Sequence, residues 1–246
     1  MNEDNVSLGQ SQVGGFEAQT FFDKYPRFEQ TSTVASDIKR LNYRYAHVIE
    51  RNRDILEGKR VLDVASHDAR FTLAALAGAG AKHVTGIEAR ASLVAHAIEN
   101  LKYYGIAEDR FDLITGDVFE KIGTIPAGSI DTAMVLGFLY HTARQYELIS
   151  AISSLGVSSI IIDSNVVPKA ERPIILLRWE GTQDDAQIWD ADRKKVLSST
   201  PSLLALSMLL EEFGYTPEIL EPLQPIPKSA LQYPRGQRVT LVGRKR

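Results

Sequence analysis

Along the middle of the chain, short apolar runs alternate with stretches of helical spacing. From Gly58 onward the runs Arg60–Val64, His83–Ile87, Phe111–Ile114, Ile130–Leu136 and Ser158–Asp163 predict strands. Between them Phe71–Gly78, Ser92–Tyr104 and Gln145–Leu155 predict helices. Strands alternating with helices imply right-handed crossovers, hence an α/β architecture with a mostly parallel sheet covered on both faces. Upstream, helical patterns span Phe16–Tyr25 and Ser36 to about Asn52; Ser36 or Asp37 is the cap of the second, and Leu41, Tyr45, Val48 and Ile49 belong to its apolar face. After Asp163 the alternation stops. Residues 164–200 hold Pro168, Pro173, both tryptophans and a run of acids, and predict an inserted ribbon or lid with a strand near Ile174–Trp179. A helix is expected from about Pro201 to Phe213, capped by Ser198, Ser199 or Thr200 and closed by Gly214. Two further strands, Thr216–Leu220 and Arg238–Val242, predict an antiparallel hairpin at a sheet edge. The expected organisation is a disordered segment 1–15, a helical cap 16–57 and a main domain 58–246 carrying the insert 164–200.

Composition narrows this little. The 246 residues are 44% hydrophobic and 24% charged, as in an ordinary globular protein large enough for one sizeable domain. A net charge of −3 gives no global attraction to nucleic acid or anionic membrane, and the basic Arg244, Lys245 and Arg246 read as a solvated tail. The absence of cysteine excludes disulfides, thiolate metal sites and a cysteine nucleophile. The opening MNEDNVSLGQSQVGG is polar and acidic, the opposite of a secretory signal, and no apolar run has bilayer-spanning length; a cytoplasmic location is the expectation.

Chemistry enters at the strand ends, because an open parallel sheet binds ligands outside its carboxyl edge. Polar residues recur there: Asp63 and Ser66-His67-Asp68, then Glu88, Asp117-Val118, Tyr140-His141 and Asp163-Ser164-Asn165. Glu88 lies about 20 residues beyond the first turn, where an acid accepts hydrogen bonds from both hydroxyls of a ribose. The alternative is a plain surface acid at a strand end. Asp117 suits the exocyclic amino group of adenine, with the Val118 amide as second partner; equally, it suits the N-cap of a helix starting at Phe119. The first turn, VLDVASHDARF, has Ala65, His67 and Ala69 where a phosphate-binding loop carries glycines. Those side chains crowd a pyrophosphate, and Asp63 and Asp68 repel one. A phosphate-free cofactor with adenosine at one end and cationic groups at the other fits better, and S-adenosylmethionine has those properties.

VLDVASHDARF, VTGIEAR, LITGDVFE and AMVLGFLYH, in this order and spacing, resemble the successive motifs of class I S-adenosylmethionine-dependent methyltransferases over about residues 58–165. TPSLLALSMLLEEFGY resembles the late helix of that family. The resemblance implies a Rossmann-like, seven-stranded sheet whose last strand is inserted antiparallel. It implies that Asp63 and the turn Ala65, Ser66, His67 and Asp68 face the methionine portion of the cofactor, that Glu88 holds the ribose, and that Asp117 and Val118 hold the adenine. The departure from the family is the loss of glycines in the first motif. VLGFLYH also resembles tRNA wobble-uridine carboxymethyltransferases.

The implied activity is O-methylation of a small-molecule hydroxyl, on a saccharide or natural product. The alternatives are a tRNA-modifying transferase and a non-catalytic methyltransferase-like binding module. Two devices are available for the reaction. His141 is a candidate general base, or else a packing histidine. Asp163 with Asn165 and Glu180 is a candidate site for a divalent cation such as magnesium, or else a set of solvated acids. Tyr43, Arg44 and Tyr45 either cover the cofactor, with Arg44 on its carboxylate, or pack the helix. Trp179 and Trp189 either line an acceptor pocket or anchor the insert, and His47, His83 and His96 read as structural. The expected partner is a small-molecule acceptor, with no nucleic acid and no membrane; a homodimer is left open.

Overall fold

The computed structural model describes residues 18–30, 37–181 and 194–246. The expected disordered segment 1–15, the acidic run beyond Gly181 and Trp189 lie outside these residues. Five parallel strands form the centre of the sheet: β1 (Arg60–Val64), β2 (His83–Glu88), β3 (Phe111–Thr115), β4 (Thr132–Leu136) and β5 (Ser159–Asn165). With β8 (Tyr215–Ile219) and β9 (Arg238–Lys245) the order is β3-β2-β1-β4-β5-β9-β8, and β9 runs antiparallel to both its neighbours. The order reverses at β1, which places a crevice between β1 and β4 at the carboxyl edge.

Side-chain alternation divides the core into two layers. Val61, Met134, Ile161 and Val242 point to one face, where they meet Leu41, Val48, Leu73 and Leu101. Leu62, Val64, Val135, Ile162 and Leu241 point to the other, against Leu148, Ile152, Leu206 and Leu210. Strands buried on both faces are near-continuous apolar runs, which is why they were legible. The first face is covered by α2 (Ile38–Arg44), α3 (Arg70–Leu73) and α4 (Ala91–Tyr103), together with short helical turns; α1 (Arg27–Gln30) precedes them. Asp37 caps α2 by accepting from the Arg40 amide at 2.7 Å. The helix then runs on through a π-turn (Tyr45–Ile49) into a 3-10 turn (Glu50–Ile55). The second face is covered by α5 (Val118–Lys121), α6 (Gln145–Ser154) and α7 (Leu203–Glu212).

The insert forms an antiparallel ribbon of its own, β6 (Ile175–Gly181) with β7 (Lys195–Pro201). Ser198, Ser199 and Thr200 therefore belong to a strand and do not cap the following helix. Ser202 does, accepting from the Ala205 amide at 3.2 Å. Pairing with β6 claims the three residues first, and Ser199 spends its hydroxyl on the Thr142 carbonyl at 2.8 Å. The basic terminus is also not a free tail. Arg244 and Lys245 lie in β9; Arg244 pairs with Asp54, and Lys245 donates to the Phe213 carbonyl at the end of α7. Among the described residues no helix is long and apolar enough to cross a membrane.

Candidate functional site

Parallel register levels the strand ends: Asp63 lies beside Gly86 and Met134, Glu88 beside Thr115, and Leu136 beside Asp163. Beyond them opens a cavity of about 570 Å³, walled by the turns after β1, β2, β3 and β4, by α2 and by Val196 and Leu197 of the ribbon. Asp63, Ala65, Ser66, His67, Glu88, Asp117, Val118, Arg44 and His141 all line it. Asp68 and Asp163 do not.

The turn after β1 keeps the backbone of a glycine loop without its glycines. Ala65, His67 and Ala69 sit at φ +55°, +54° and +63°. Left-handed backbone costs a non-glycine residue roughly 1–2 kcal/mol, so the surroundings must hold it. The Ser66 amide donates to the Ile87 carbonyl at 2.9 Å, Ala69 to Ser66 at 2.9 Å, and His67 to Glu88 Oε2 at 3.1 Å. Asp68 turns away from the cavity and receives Arg70 Nε at 2.7 Å and Nη2 at 2.6 Å. Burial pushes its carboxyl up, yet His67 and Arg70 hold it well below the usual carboxylate range. The expected contact of Asp68 with the methionine portion is thereby corrected: the side chain locks the loop. The approach of β2 requires Gly86, where a Cβ would come within 2.9 Å of Ser66 Oγ and 2.6 Å of Leu113 Cδ2.

Three acids face the cavity in different states. Asp63 is buried at the end of β1, with Thr72 Oγ1 donating to it at 2.7 Å. Burial pushes its carboxyl up to about 7; the Thr72 hydroxyl opposes this, and the nearby Asp68 and Glu88 add to it. A cation beside Asp63 would be well matched. Glu88 accepts the His67 amide on one oxygen and the Arg90 amide and Nε, at 3.1 and 3.0 Å, on the other. Oε1 thus accepts twice, while Oε2 accepts once and keeps further acceptor capacity. Asp117 caps α5 through Oδ1, accepting from the Phe119 amide at 3.0 Å. Cap and cavity wall are thus one residue.

His141 follows β4 in a short 3-10 turn (Leu139–His141), and its Nδ1 lies 2.8 Å from Glu180 Oε1 on β6. The ribbon is tied to the same turn by Ser199 on Thr142 and by Gln145 Nε2, which donates to the carbonyls of Leu139 and Ser199. A carboxylate on Nδ1 fixes the tautomer and leaves Nε2 to accept a proton.

The expected metal cluster does not assemble. Asp163 is fully buried and receives Arg238 Nε at 2.5 Å, Arg44 Nη2 at 3.0 Å, Thr240 Oγ1 at 3.0 Å and the Tyr233 hydroxyl. Burial raises its carboxyl, but Arg238 and Arg44 hold it well below the usual range. Asn165 accepts from Arg238, and Glu180 is engaged with His141. These donors do not fit a divalent cation, and among the described residues no other group of three acids or histidines does. Asp163 is likewise corrected as a catalytic residue: it anchors arginines and does not touch the cavity.

Of the remaining candidates, Tyr43 and Tyr45 pack. Tyr45 stacks on Phe21 at 3.9 Å, and Tyr43 lies against His47 and Tyr233. Trp179 is 69% exposed and lines nothing. His47 is buried, while His83 and His96 lie against Asp112 and Asn100, away from the cavity. Sequence reasoning missed Arg40, Arg90 and Arg238, which all line the cavity. For Arg238 the signal was a charge at the first position of a predicted strand; for Arg40, its place one turn before Arg44.

No family model matches the chain, and no relative is found among curated proteins. Solved structures do match it. The N-terminal domain of EvdMO1, determined with S-adenosylhomocysteine (SAH) bound, superposes with a TM-score of 0.61 at 17% identity, covering 82% of this chain and 81% of that one. The fold is that of the class I S-adenosylmethionine-dependent methyltransferases. The same methyltransferase fold relates the chain to the 1,6-didemethyltoxoflavin N1-methyltransferase of Burkholderia thailandensis, with a TM-score of 0.58, 16% identity and 98% and 93% coverage. A methyltransferase from Mesorhizobium loti matches at a TM-score of 0.54, 15% identity and 78% and 93% coverage. In this fold β9 is the inserted antiparallel strand, as the sequence motifs implied.

Proposed function

We propose that the chain is an S-adenosylmethionine-dependent methyltransferase acting on a hydroxyl of a small molecule. The observation that carries the reading is the convergence of Asp63, Glu88, Asp117 and His141 on one cavity at the carboxyl ends of successive strands. Two of the structural neighbours are described with S-adenosylhomocysteine bound, one of them also with 1,6-didemethyltoxoflavin, which supports a small-molecule acceptor.

The residues present fit the cofactor. Asp63 matches a cationic methionine portion, Glu88 Oε2 keeps acceptor capacity for a ribose hydroxyl, and Asp117 keeps one oxygen beyond its cap bond for an adenine amino group. The left-handed turn carries the side chains of Ala65 and His67 where a pyrophosphate-binding loop has glycines, and these crowd a pyrophosphate. S-adenosylmethionine supplies a methyl group on a sulfonium, which leaves as a neutral thioether. With the cofactor bound, His141 Nε2 would take the proton of the acceptor hydroxyl as its oxygen gains the methyl, and Glu180 holds the opposite ring nitrogen. Cavity walls from α2 and β7 would shield the acceptor from water and hold it in line, and much of the acceleration in such a displacement comes from that positioning.

Calorimetric titration with S-adenosylhomocysteine tests the reading. Binding is expected, and Glu88→Ala should weaken it by about 1–3 kcal/mol through the lost ribose bond. Absence of any binding to the unmodified chain would sink the proposal.

A further inference from the structure

The positive charge around the cavity is not evenly balanced. Arg70 is matched by Asp68, Arg90 by Glu88 and Arg144 by Glu147. On one wall, however, Arg40 and Arg44, a turn apart on α2, converge with Arg238 at the start of β9, and all three line the cavity. Asp163 is the carboxylate among them, bonded to Arg44 and Arg238. Among the described residues no side-chain partner meets the Arg40 guanidinium, and Arg44 Nε is buried without one. Burial, together with the like charges of Arg44 and Arg238, depresses the Arg40 guanidinium, which independently records the crowding. Three cations against one anion leave two unmatched positive charges beside a cavity large enough for a ligand.

The placement of this wall separates it from the adenosine side. Glu88 and Asp117 end β2 and β3, whereas Arg238 belongs to β9, beyond β4 and β5, with its Cζ 5.9 Å from the ring centre of Tyr140 beside His141. Arg44 is the residue suited to the carboxylate of the methionine portion, and that single negative charge leaves one positive charge over. We infer that the methyl acceptor is itself anionic, carrying a carboxylate or phosphate group that seats on Arg40 and Arg238 while its hydroxyl is directed to His141. Planar guanidinium groups recognise either oxyanion through paired hydrogen bonds, so the shared chemistry is the oxyanion. The inference rests on the methyltransferase reading.

The experiment uses the full chain saturated with S-adenosylhomocysteine at low ionic strength, titrated with benzoate, inorganic phosphate or the neutral benzamide. The guanidinium Nε–H signals of Arg40 and Arg238 are followed by NMR. One or both anions should shift these signals, benzamide should not, and Arg40→Gln should weaken anion binding about tenfold, the loss of one charge-assisted contact. Benzoate alone or phosphate alone identifies which oxyanion the wall accepts. Arg40→Gln is chosen because Arg40 is partly exposed and spares the buried Arg238. Unshifted arginine signals, or an affinity that Arg40→Gln leaves unchanged, would overturn the inference. So would a variant that weakens S-adenosylhomocysteine but not 5′-methylthioadenosine, since the wall would then serve the cofactor carboxylate. If S-adenosylhomocysteine itself does not bind, the methyltransferase reading fails; if it binds and the anions do not, only the anionic acceptor fails.

Discussion

Asp63 is where one residue's environment sets a measurable property of the whole site. Its carboxyl is raised to about 7 in the free chain, from an ordinary value of 3.8, chiefly by burial. A cationic ligand favours the ionised form, so its binding must release a proton whenever Asp63 starts protonated. S-adenosylhomocysteine affinity should therefore rise with pH, by up to about tenfold per unit, through the window from about 4 to 7, and level off above it. Calorimetry in buffers of different ionisation heat should detect the released proton below pH 7, and Asp63→Asn should abolish both effects. A flat pH profile would mean that no cation is placed against Asp63. The stability of the ligand-free chain carries the opposite sign: a raised carboxyl binds more protons folded than unfolded, so this residue's contribution declines as pH climbs through that window.

At the scale of elements, the ribbon does more than roof the cavity. Through Glu180 it reaches His141, and through Ser199 and Gln145 it is fastened to the turn bearing that histidine. If Glu180 holds His141 as the proposed mechanism requires, Glu180→Ala should lower kcat while leaving S-adenosylhomocysteine affinity unchanged, and Glu180→Gln, which keeps an acceptor, should restore part of the loss. The ¹⁵N shifts of the His141 ring should report the Nδ1–H tautomer in the parent and in Glu180→Gln, and a tautomer mixture in Glu180→Ala. An identical ring spectrum in all three would remove Glu180 from the mechanism. The ribbon is also where the sequence was least legible. Helices and parallel strands announce themselves by burial on one or two faces, and these were placed within a few residues. β7 did not, because its Ser-Ser-Thr stretch has the composition of a helix cap, and only pairing with a strand twenty residues upstream turns it into β-structure. For the same reason the residues at and beyond the end of β5 suggested a metal: sequence shows Asp163, Asn165 and Glu180 as oxygen ligands, but not the arginines from α2 and β9 that claim the first two or the histidine that claims the third. Strand-end acids beside the switch point were readable because topology alone fixes where they lie; partners contributed across 75 or 119 residues were not.

For the whole molecule, Asp163 joins three distant segments: α2 through Arg44, the loop before β9 through Tyr233, and β9 itself through Arg238 and Thr240. Asp163→Asn should destabilise the fold by about 3–5 kcal/mol in chemical denaturation, because two buried guanidinium groups lose their counter-charge. A catalytic or metal-binding carboxylate would instead lose activity with stability preserved. His47, in the same region, is fully buried between Tyr43 and Tyr233, and among the described residues neither ring nitrogen has a hydrogen-bond partner. Burial lowers it from 6.5 to about 4, so the unfolded chain takes up a proton that the folded chain refuses. Stability is therefore full above pH 6.5 and is lost as pH falls toward 4, by about 3 kcal/mol at most from this residue. His47→Phe keeps the ring packing and removes the titration. Its denaturation midpoint should fall less steeply between pH 6.5 and 4 than that of the parent, and parallel curves would show that His47 is not the group responsible.

The turn after β1 has a further consequence, for kinship and not for chemistry. Glycine is the residue that ordinarily supplies positive φ in such a turn, because it has no Cβ. Here alanine and histidine occupy the same backbone angles, held by the Glu88 side chain and the Asp68–Arg70 clasp. No family model matches the chain, yet its Cα trace superposes on the S-adenosylhomocysteine-bound N-terminal domain of EvdMO1 at 17% identity. Proteins that share the clasp are therefore better sought by an acid two residues before an arginine, following a strand that ends in aspartate, than by any count of glycines.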